Sequence, residues 1–518
     1  MSRTNKAAKG FVTAIFQYLT RIMVQILLAP LVLIMAGKET LGAYAAIMQT
    51  LGLFLMINVA GSWSLDRFLA QSTGKEDGGK RFREVFTTSR TVQLATNTVF
   101  AIIVLIFSHY VARLFHLTPG IASQARYSLY IVAAWAVAST PFWSYQAALV
   151  AKQHIAEVNL YTTVINITKS VASLVAVLSG GGLFGLVMAD TVVGGACGLI
   201  YRFRFQKRYP ALRPGWGVPD RKLLREMLSF GGFTVFMNIG NRLFLSSANM
   251  LASITSGAAA ASTFYTTQMP GLTGYNLLYR LTESSTPAVH ELYGRGELDR
   301  LRHVFARLVR LMLMMTIPLA VGVFLFNKDV VTCWVGPRMY AGPLLTDTLA
   351  VYLGLSALLS LSILFSYVFG WVRLLAVIAF VQGVANIAVG YYLGKKLGLG
   401  GITLALALLL IPQTVILLVK VSRSLSLNTA RVIAEAVFRS LVPLGLAAAG
   451  GLYIHAHVYI ARHHFGGLIA EGLAFTAIYA IGAYFIIMHK QDQADARHYM
   501  LTIVQYGRKL HSKVFKTA

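Results

Sequence analysis

Apolar residues run along this chain in blocks of about twenty or more, separated by short, mostly basic segments. Blocks of that length predict helices that cross a bilayer, because about twenty residues at 1.5 Å each span the hydrocarbon core. Strands of a membrane barrel would need only about ten residues each, so the pattern excludes a barrel. About fourteen spans follow, at roughly 11–36, 41–66, 86–114, 124–150, 155–178, 182–203, 227–253, 258–285, 303–327, 344–369, 372–394, 399–421, 432–459 and 465–488. The expected fold class is therefore all-α, a polytopic membrane protein of about fourteen transmembrane helices.

Polar positions interrupt these blocks at helical spacing. Gln17, Arg21 and Gln25 fall four apart in the first span and share one helix face, while Ile15, Leu19, Ile22 and Leu27 occupy the others. The seventh span carries Asn238, Arg242, Ser246 and Asn249 in the same way. The fifth carries Asn159, Thr163, Asn166, Ser170 and Ser173, with Thr162 and Lys169 beside them. The eighth carries Asn276, Arg280 and Ser284. Polar stripes in membrane helices are often only interhelical hydrogen bonding, worth about 0.6 kcal/mol each. Four intramembrane cations are a larger matter, since each costs roughly 2.5–3.5 kcal/mol on the insertion scale. A hydrated cavity removes most of that cost. Arg21, Arg242, Arg280 and Lys169, with Gln17, Gln25, Asn238 and Asn166, are the candidate lining of a cationic substrate site. Asp190, Glu283 and Asp66 are candidates for ion coupling; Glu283 also lies at i+3 from Arg280, where a salt bridge forms readily.

The halves of the chain resemble each other. Gly37–Tyr44 matches Ser256–Tyr265, Gly180–Gly185 matches Gly398–Gly401, and Ala151–His154 matches Gly370–Arg373, all offset by roughly 220 residues. A common offset with six spans per half predicts a parallel repeat about an axis along the membrane normal. The expected organisation is an N-terminal lobe at 1–204, a basic linker at 205–226, a C-terminal lobe at 227–424, two further spans at 425–490 and a basic tail at 491–518.

Composition narrows the class. Of 518 residues, 56% are hydrophobic and 13% charged, too apolar for a soluble chain of this length. The net charge of +27 sits in loops between spans, so topology explains it better than nucleic acid does. With the N-terminus inside, roughly thirty Lys and Arg fall on the cytoplasmic side and roughly eight outside, which puts both termini in the cytoplasm. Cys197 and Cys333 are far apart and predict neither a disulfide framework nor a metal site. No nucleotide loop, catalytic triad or metal motif is present in the sequence, so neither cofactor nor enzymatic activity is expected.

Several stretches resemble the polysaccharide-transporter branch of the multidrug/oligosaccharidyl-lipid/polysaccharide (MOP) flippase superfamily, the Wzx-type flippases. They are Leu41–Tyr44 through Asp66–Ala70, Tyr145–His154, Gly180–Gly185, Ser229–Gly232, Pro287–Gly294 and Trp334–Gly342. The resemblance covers most of residues 11–425, and the last two spans match only in being hydrophobic. It implies two pseudo-symmetric six-helix lobes around a central cavity, plus two C-terminal helices. It implies export of undecaprenyl-pyrophosphate-linked oligosaccharides, for O-antigen or exopolysaccharide, across a bacterial inner membrane. The lipid bilayer and a polysaccharide polymerase are the implied partners, and nucleic acid is not. Arg21, Arg242 and Arg280 fit the cationic cavity of such relatives by position, and Lys169 fits less closely. The first span here has no Asp or Glu, where drug-exporting relatives use acids. That departure disfavours a multidrug or cation antiporter. A membrane glycan polymerase or ligase is disfavoured too, for want of catalytic acids or a sizeable outer loop.

Overall fold

The computed structural model describes residues 3–58, 68–69, 72, 79–215, 217, 220–457 and 465–486. Within its helices, side chains are described except at residues 3–16, 18, 19, 21, 25, 57, 58, 143, 226–236, 245, 455, 456, 465, 466 and 469. The described chain is helical throughout, with no strand among the described residues. Among these residues nine helices are long and apolar enough to cross a membrane.

The first lobe comprises α1 (Arg3–Phe54), α2 (Lys80–Leu114), α3 (Pro119–Ala138), α4 (Thr140–Ala151), α5 (Ile155–Leu178) and the run α6 (Gly182–Met188), α7 (Gly194–Cys197), α8 (Leu199–Arg208). The second comprises α9 (Arg221–Leu245), α10 (Ala248–Ser256), α11 (Ala258–Gly294), α12 (Leu298–Val335), α13 (Pro343–Val368), α14 (Val372–Leu397) and α15 (Leu399–Ser424). Two helices follow, α16 (Thr429–His457) and α17 (Phe465–Ile486). Expected spans and observed helices agree closely. The first two spans are the two helical halves of α1, which meet at a kink at the single non-helical residue Gly37 (φ 84°, ψ 169°). Only glycine adopts that conformation without strain.

The repeat is written in the backbone. Positive φ recurs at Gly37 and Gly257, Gly79 and Gly296, His116 and Gly336, Gln153 and Gly370, and Gly180 and Gly398, each pair about 220 residues apart. These are the turns between successive spans, so the lobes share their connections as well as their helices. Packing repeats as well: α1 lies on α5 as α9 lies on α14, and α2 on α3 as α12 on α13.

Differences between the lobes fall at particular residues. The fourth span is broken at Ser139, where Pro141 in the first turn of α4 has no N–H to continue the ladder. Its counterpart α13 is continuous. The sixth span carries a π-helical turn at Ala189–Val193, whereas its counterpart α15 is α-helical from Leu399 to Ser424.

The two lobes meet near the Gly37 and Gly257 turns. A Cβ on Gly42 would stand 1.6 Å from the Ala258 carbonyl oxygen, so the two helices touch backbone to backbone there. Val32, Leu41, Val177 and Leu186 of one lobe form a buried cluster with Val331 and Met339 of the other. The Lys38 Nζ donates to the Arg338 carbonyl at 2.7 Å, and the Ala258 amide donates to the Phe115 carbonyl at 3.2 Å. Helices α16 and α17 pack on each other and on α12, through Phe326, Ala447, Phe475 and Tyr479.

A candidate substrate cavity between the lobes

Both first spans lose backbone hydrogen bonds at matching places in the repeat. In α1, Pro30 withdraws the donor that would serve the Ile26 carbonyl. The Trp334 indole of the second lobe supplies it, at 2.8 Å. About 220 residues later, α9 ends at Leu245 and α10 begins at Ala248. There Asn386 Nδ2 donates to Ser247 Oγ at 2.9 Å and to the Phe244 carbonyl at 3.3 Å. The amino end of α10 receives help from the other lobe: the Asn249 amide donates to Gln49 Oε1 at 3.0 Å. Freed backbone groups inside a membrane must be satisfied, and here side chains from neighbouring helices do it.

These breaks border a cavity of about 670 Å³ between the lobes. Helices α1, α5 and α6 and the π turn supply one wall, and α9, α10 and α11 the other. Gln17, Asn166, Lys169, Asp190 and Arg242 all line it. Five of the residues singled out in the sequence therefore converge on one space. Arg242 is exposed to it, and among the described residues no carboxylate pairs with its guanidinium. Ser246 and Asn249, from the same stripe, line it as well.

Lys169 is held differently. Its Nζ forms a salt bridge with Asp190 Oδ1, both side chains being about a quarter exposed (26% and 25%). Its aliphatic stem lies over Gly194, where a Cβ would come within 2.8 Å of Cδ. The π turn that bears Asp190 and the glycines that follow thus shape the seat of Lys169. The pair also borders a second cavity of about 470 Å³ inside the first lobe, with Trp135, Asn97 and Gln93 among its lining. Lys169 and Asp190 form part of the wall of both spaces.

Other expected site residues fall elsewhere. Arg280 and Glu283 pair with each other at 2.5 Å on an exposed face of α11, as i,i+3 spacing allows, and neither lines the cavity. Asn238 is half-buried in α9 one turn before Arg242 and does not line it either. The side chains of Arg21 and Gln25, and the whole of Asp66, lie outside the described residues.

Three polar lining residues lie on none of the stripes: Tyr44, Gln49 and Tyr265. Tyr44 and Tyr265 occupy equivalent places after the Gly37 and Gly257 turns, so the repeat itself carried the signal. Gln49 is a lone amide in an apolar span, and its partner lies in the other half of the chain.

Comparison with known proteins follows this architecture. The family described as "Polysaccharide biosynthesis protein" matches residues 32–339. No curated protein matches the chain. Among solved structures, the lipid II flippase MurJ in an inward closed conformation is similar over 92% of this chain and 98% of its own, with TM-score 0.70 and 13% identity. An inward-facing multidrug resistance transporter of the MATE family, in the MOP superfamily, is similar over 79% of this chain and 98% of its own, with TM-score 0.64 and 14% identity. A point mutant of the Vibrio cholerae MATE transporter VcmN is similar over 82% and 98%, with TM-score 0.59 and 13% identity. At these identities the likeness is one of fold.

Proposed function

We propose, since the chain belongs to the polysaccharide biosynthesis protein family, that it flips an undecaprenyl-pyrophosphate-linked oligosaccharide to the outer leaflet of a bacterial inner membrane. The observation that carries this reading is Arg242. It is a cation without a described carboxylate partner, facing a cavity between two pseudo-symmetric lobes. A pyrophosphate crossing the low-dielectric midplane needs compensating charge throughout its passage. A guanidinium supplies that charge together with a fork of donors that fits two phosphate oxygens. The amino end of α10 beside it adds the positive end of a helix dipole. Lys169 provides a second cation on the facing wall once Asp190 yields it. Arg21, the counterpart of Arg242 in the repeat, is the third, with Gln17, Gln25 and Asn166 as amide donors to phosphate or sugar. Arg280 stands about 22 Å further along α11 from Tyr265, as the next cation beyond the cavity.

The cavity's volume lies within the usual range of ligand sites, about 300–1,000 Å³. It suits the pyrophosphate and the first sugars, while the lipid tail stays in the bilayer. The loop charge assigns both termini to the cytoplasm, so the seal near Gly37 and Gly257 faces outward and the cavity is reached from inside. Alternating access then rocks lobe 1–204 against lobe 227–424 about the linker 205–226, with 425–490 riding on the second lobe and the tail 491–518 in the cytoplasm. A polysaccharide polymerase is the natural receiver of the exported unit. Asp190 is the acid best placed for coupling, because it is released whenever substrate takes Lys169; Glu283 and Asp66 are further candidates. A cation-exporting role lacks support, since the described acid of the cavity already has a cation partner.

The test is complementation of a deletion strain. Arg242→Ala should abolish surface polysaccharide while the protein still inserts in the membrane, and Arg242→Lys should retain part of the output, since the Coulomb attraction survives. Full export by Arg242→Ala would make this arginine a piece of scaffold.

A further inference from the structure

The substrate cavity changes character from Arg242 toward the seal. Tyr44 and Tyr265 follow the Gly37 and Gly257 turns by two turns of helix, and Asn249 precedes Gly257 by as much. All three therefore line the cavity roughly 10–12 Å below the seal. Arg242 lies about 10 Å deeper, across the break between α9 and α10. Tyr44 stands within electrostatic reach of Tyr265 and of Asp190, whose charge Lys169 balances. Among the described residues, then, the outer end of the cavity carries no net charge, and the unbalanced cation lies at the inner end.

Two side-chain amides border this outer level, and each is fixed in orientation. Asn249 is 1% exposed. Its Oδ1 accepts from Gln268 Nε2 at 3.3 Å. Its Nδ2 is left as a buried donor with no acceptor. From the other lobe, Gln49 Oε1 accepts from the Asn249 backbone amide at 3.0 Å. That bond fixes the Gln49 amide, whose Nε2 also has no acceptor among the described residues. A buried donor is rarely left unmet in a native protein, so the Asn249 nitrogen calls for an acceptor from elsewhere. A phosphate is drawn instead to the cation deeper in the cavity. A sugar has what this level lacks. Its oxygens accept from fixed amides, its hydroxyls donate in turn, and its apolar ring face suits a tyrosine.

We propose that the outer end of the cavity is a sugar-binding subsite, where Asn249 and Gln49 hold oxygens of the glycan and Tyr44 and Tyr265 flank its ring. This deepens the flippase reading and rests on it, by naming the part of the substrate that each level takes. The spacing between the levels suits a pyrophosphate at Arg242 followed by one or two sugars. The glycan thus enters first and the pyrophosphate trails it, so the seal opens around sugar before the phosphates leave their cation. Choice among glycans is made at Asn249, Gln49 and the tyrosines, while Arg242 is indifferent to the sugar. Both lobes contribute to the subsite, and the Gln49–Asn249 bond joins them there. A bound sugar therefore touches the two bodies that must move apart.

The full-length protein, purified in detergent, would be titrated with two probes. One is undecaprenyl pyrophosphate alone, and the other is the same carrier bearing the host's oligosaccharide unit. The parent should bind the glycan-bearing carrier more tightly by a factor of about ten or more. Asn249→Ala should cut that preference to about threefold or less. Tyr44→Leu should do the same, and it makes the test from the other lobe should the Asn249 variant fail to fold. Tyr44→Phe keeps the ring and should retain most of the preference. Equal affinity of the parent for both probes, an undiminished preference in Asn249→Ala and Tyr44→Leu, or an equal loss for both probes would overturn the sugar subsite. Arg242→Ala should weaken both probes alike. If it weakens neither while the preference still depends on Asn249 and Tyr44, the pyrophosphate reading fails and the sugar subsite stands.

Discussion

Among the described side chains of the cavity, one cation is available and one is held in reserve. Arg242 stands open, whereas Lys169 is occupied by Asp190. An anionic substrate must compete with that carboxylate for Lys169. Asp190→Asn removes the competitor and preserves shape. It should tighten binding of a pyrophosphate-linked glycan by a factor of about ten, which corresponds to about 1.4 kcal/mol, and slow turnover because release becomes harder. Binding to the purified variant and its transport rate would check both halves of that expectation. The polar stripes exposed much of this in the sequence: Gln17, Asn166 and Arg242 were legible because helical spacing put each on a polar face, and Lys169 because it is a cation within a span. Arg280 looked like cavity lining from its stripe, but its own i+3 neighbour Glu283 sits beside it instead.

Helix by helix, hydropathy found where the spans lie and missed where they break. A window average is blind to one withdrawn hydrogen bond, so the splits at Ser139 and Ser246 and the π turn around Asp190 left no mark in it. The split at Ser246 rests on a tertiary partner, Asn386. Pro30 withdraws one donor within α1, yet nothing nearby in sequence announces the indole that replaces it. Trp334→Phe keeps the aromatic packing and removes only the donor to Ile26. It should cost about 1 kcal/mol of stability and weaken the seal, because this bond joins the two lobes. Thermal unfolding in detergent, compared with the parent, would measure the loss; an unchanged transition would mean that another donor reaches the Ile26 carbonyl.

Across the molecule, two similar lobes meet near one pair of glycine turns, with a cationic cavity between them and a pair of extra helices on the second lobe. The repeat was legible as a common offset in short glycine-bearing motifs, because positive φ at span turns demands such residues. What the sequence could not convey is which lobe faces fuse, since a contact such as Gly42 on Ala258 joins segments with no local relation. If recognition of charge moves the substrate, the carrier's pyrophosphate must decide what crosses. Proteoliposomes holding the purified protein can be offered one oligosaccharide on two carriers, undecaprenyl pyrophosphate and an uncharged polyprenyl lipid. The pyrophosphate-linked glycan should reach the far leaflet and the uncharged one should not, and Arg242→Ala should abolish the difference by halting the charged substrate. Equal transport of both carriers, or undiminished transport of the charged one by Arg242→Ala, would show that the cavity's cation does not drive translocation.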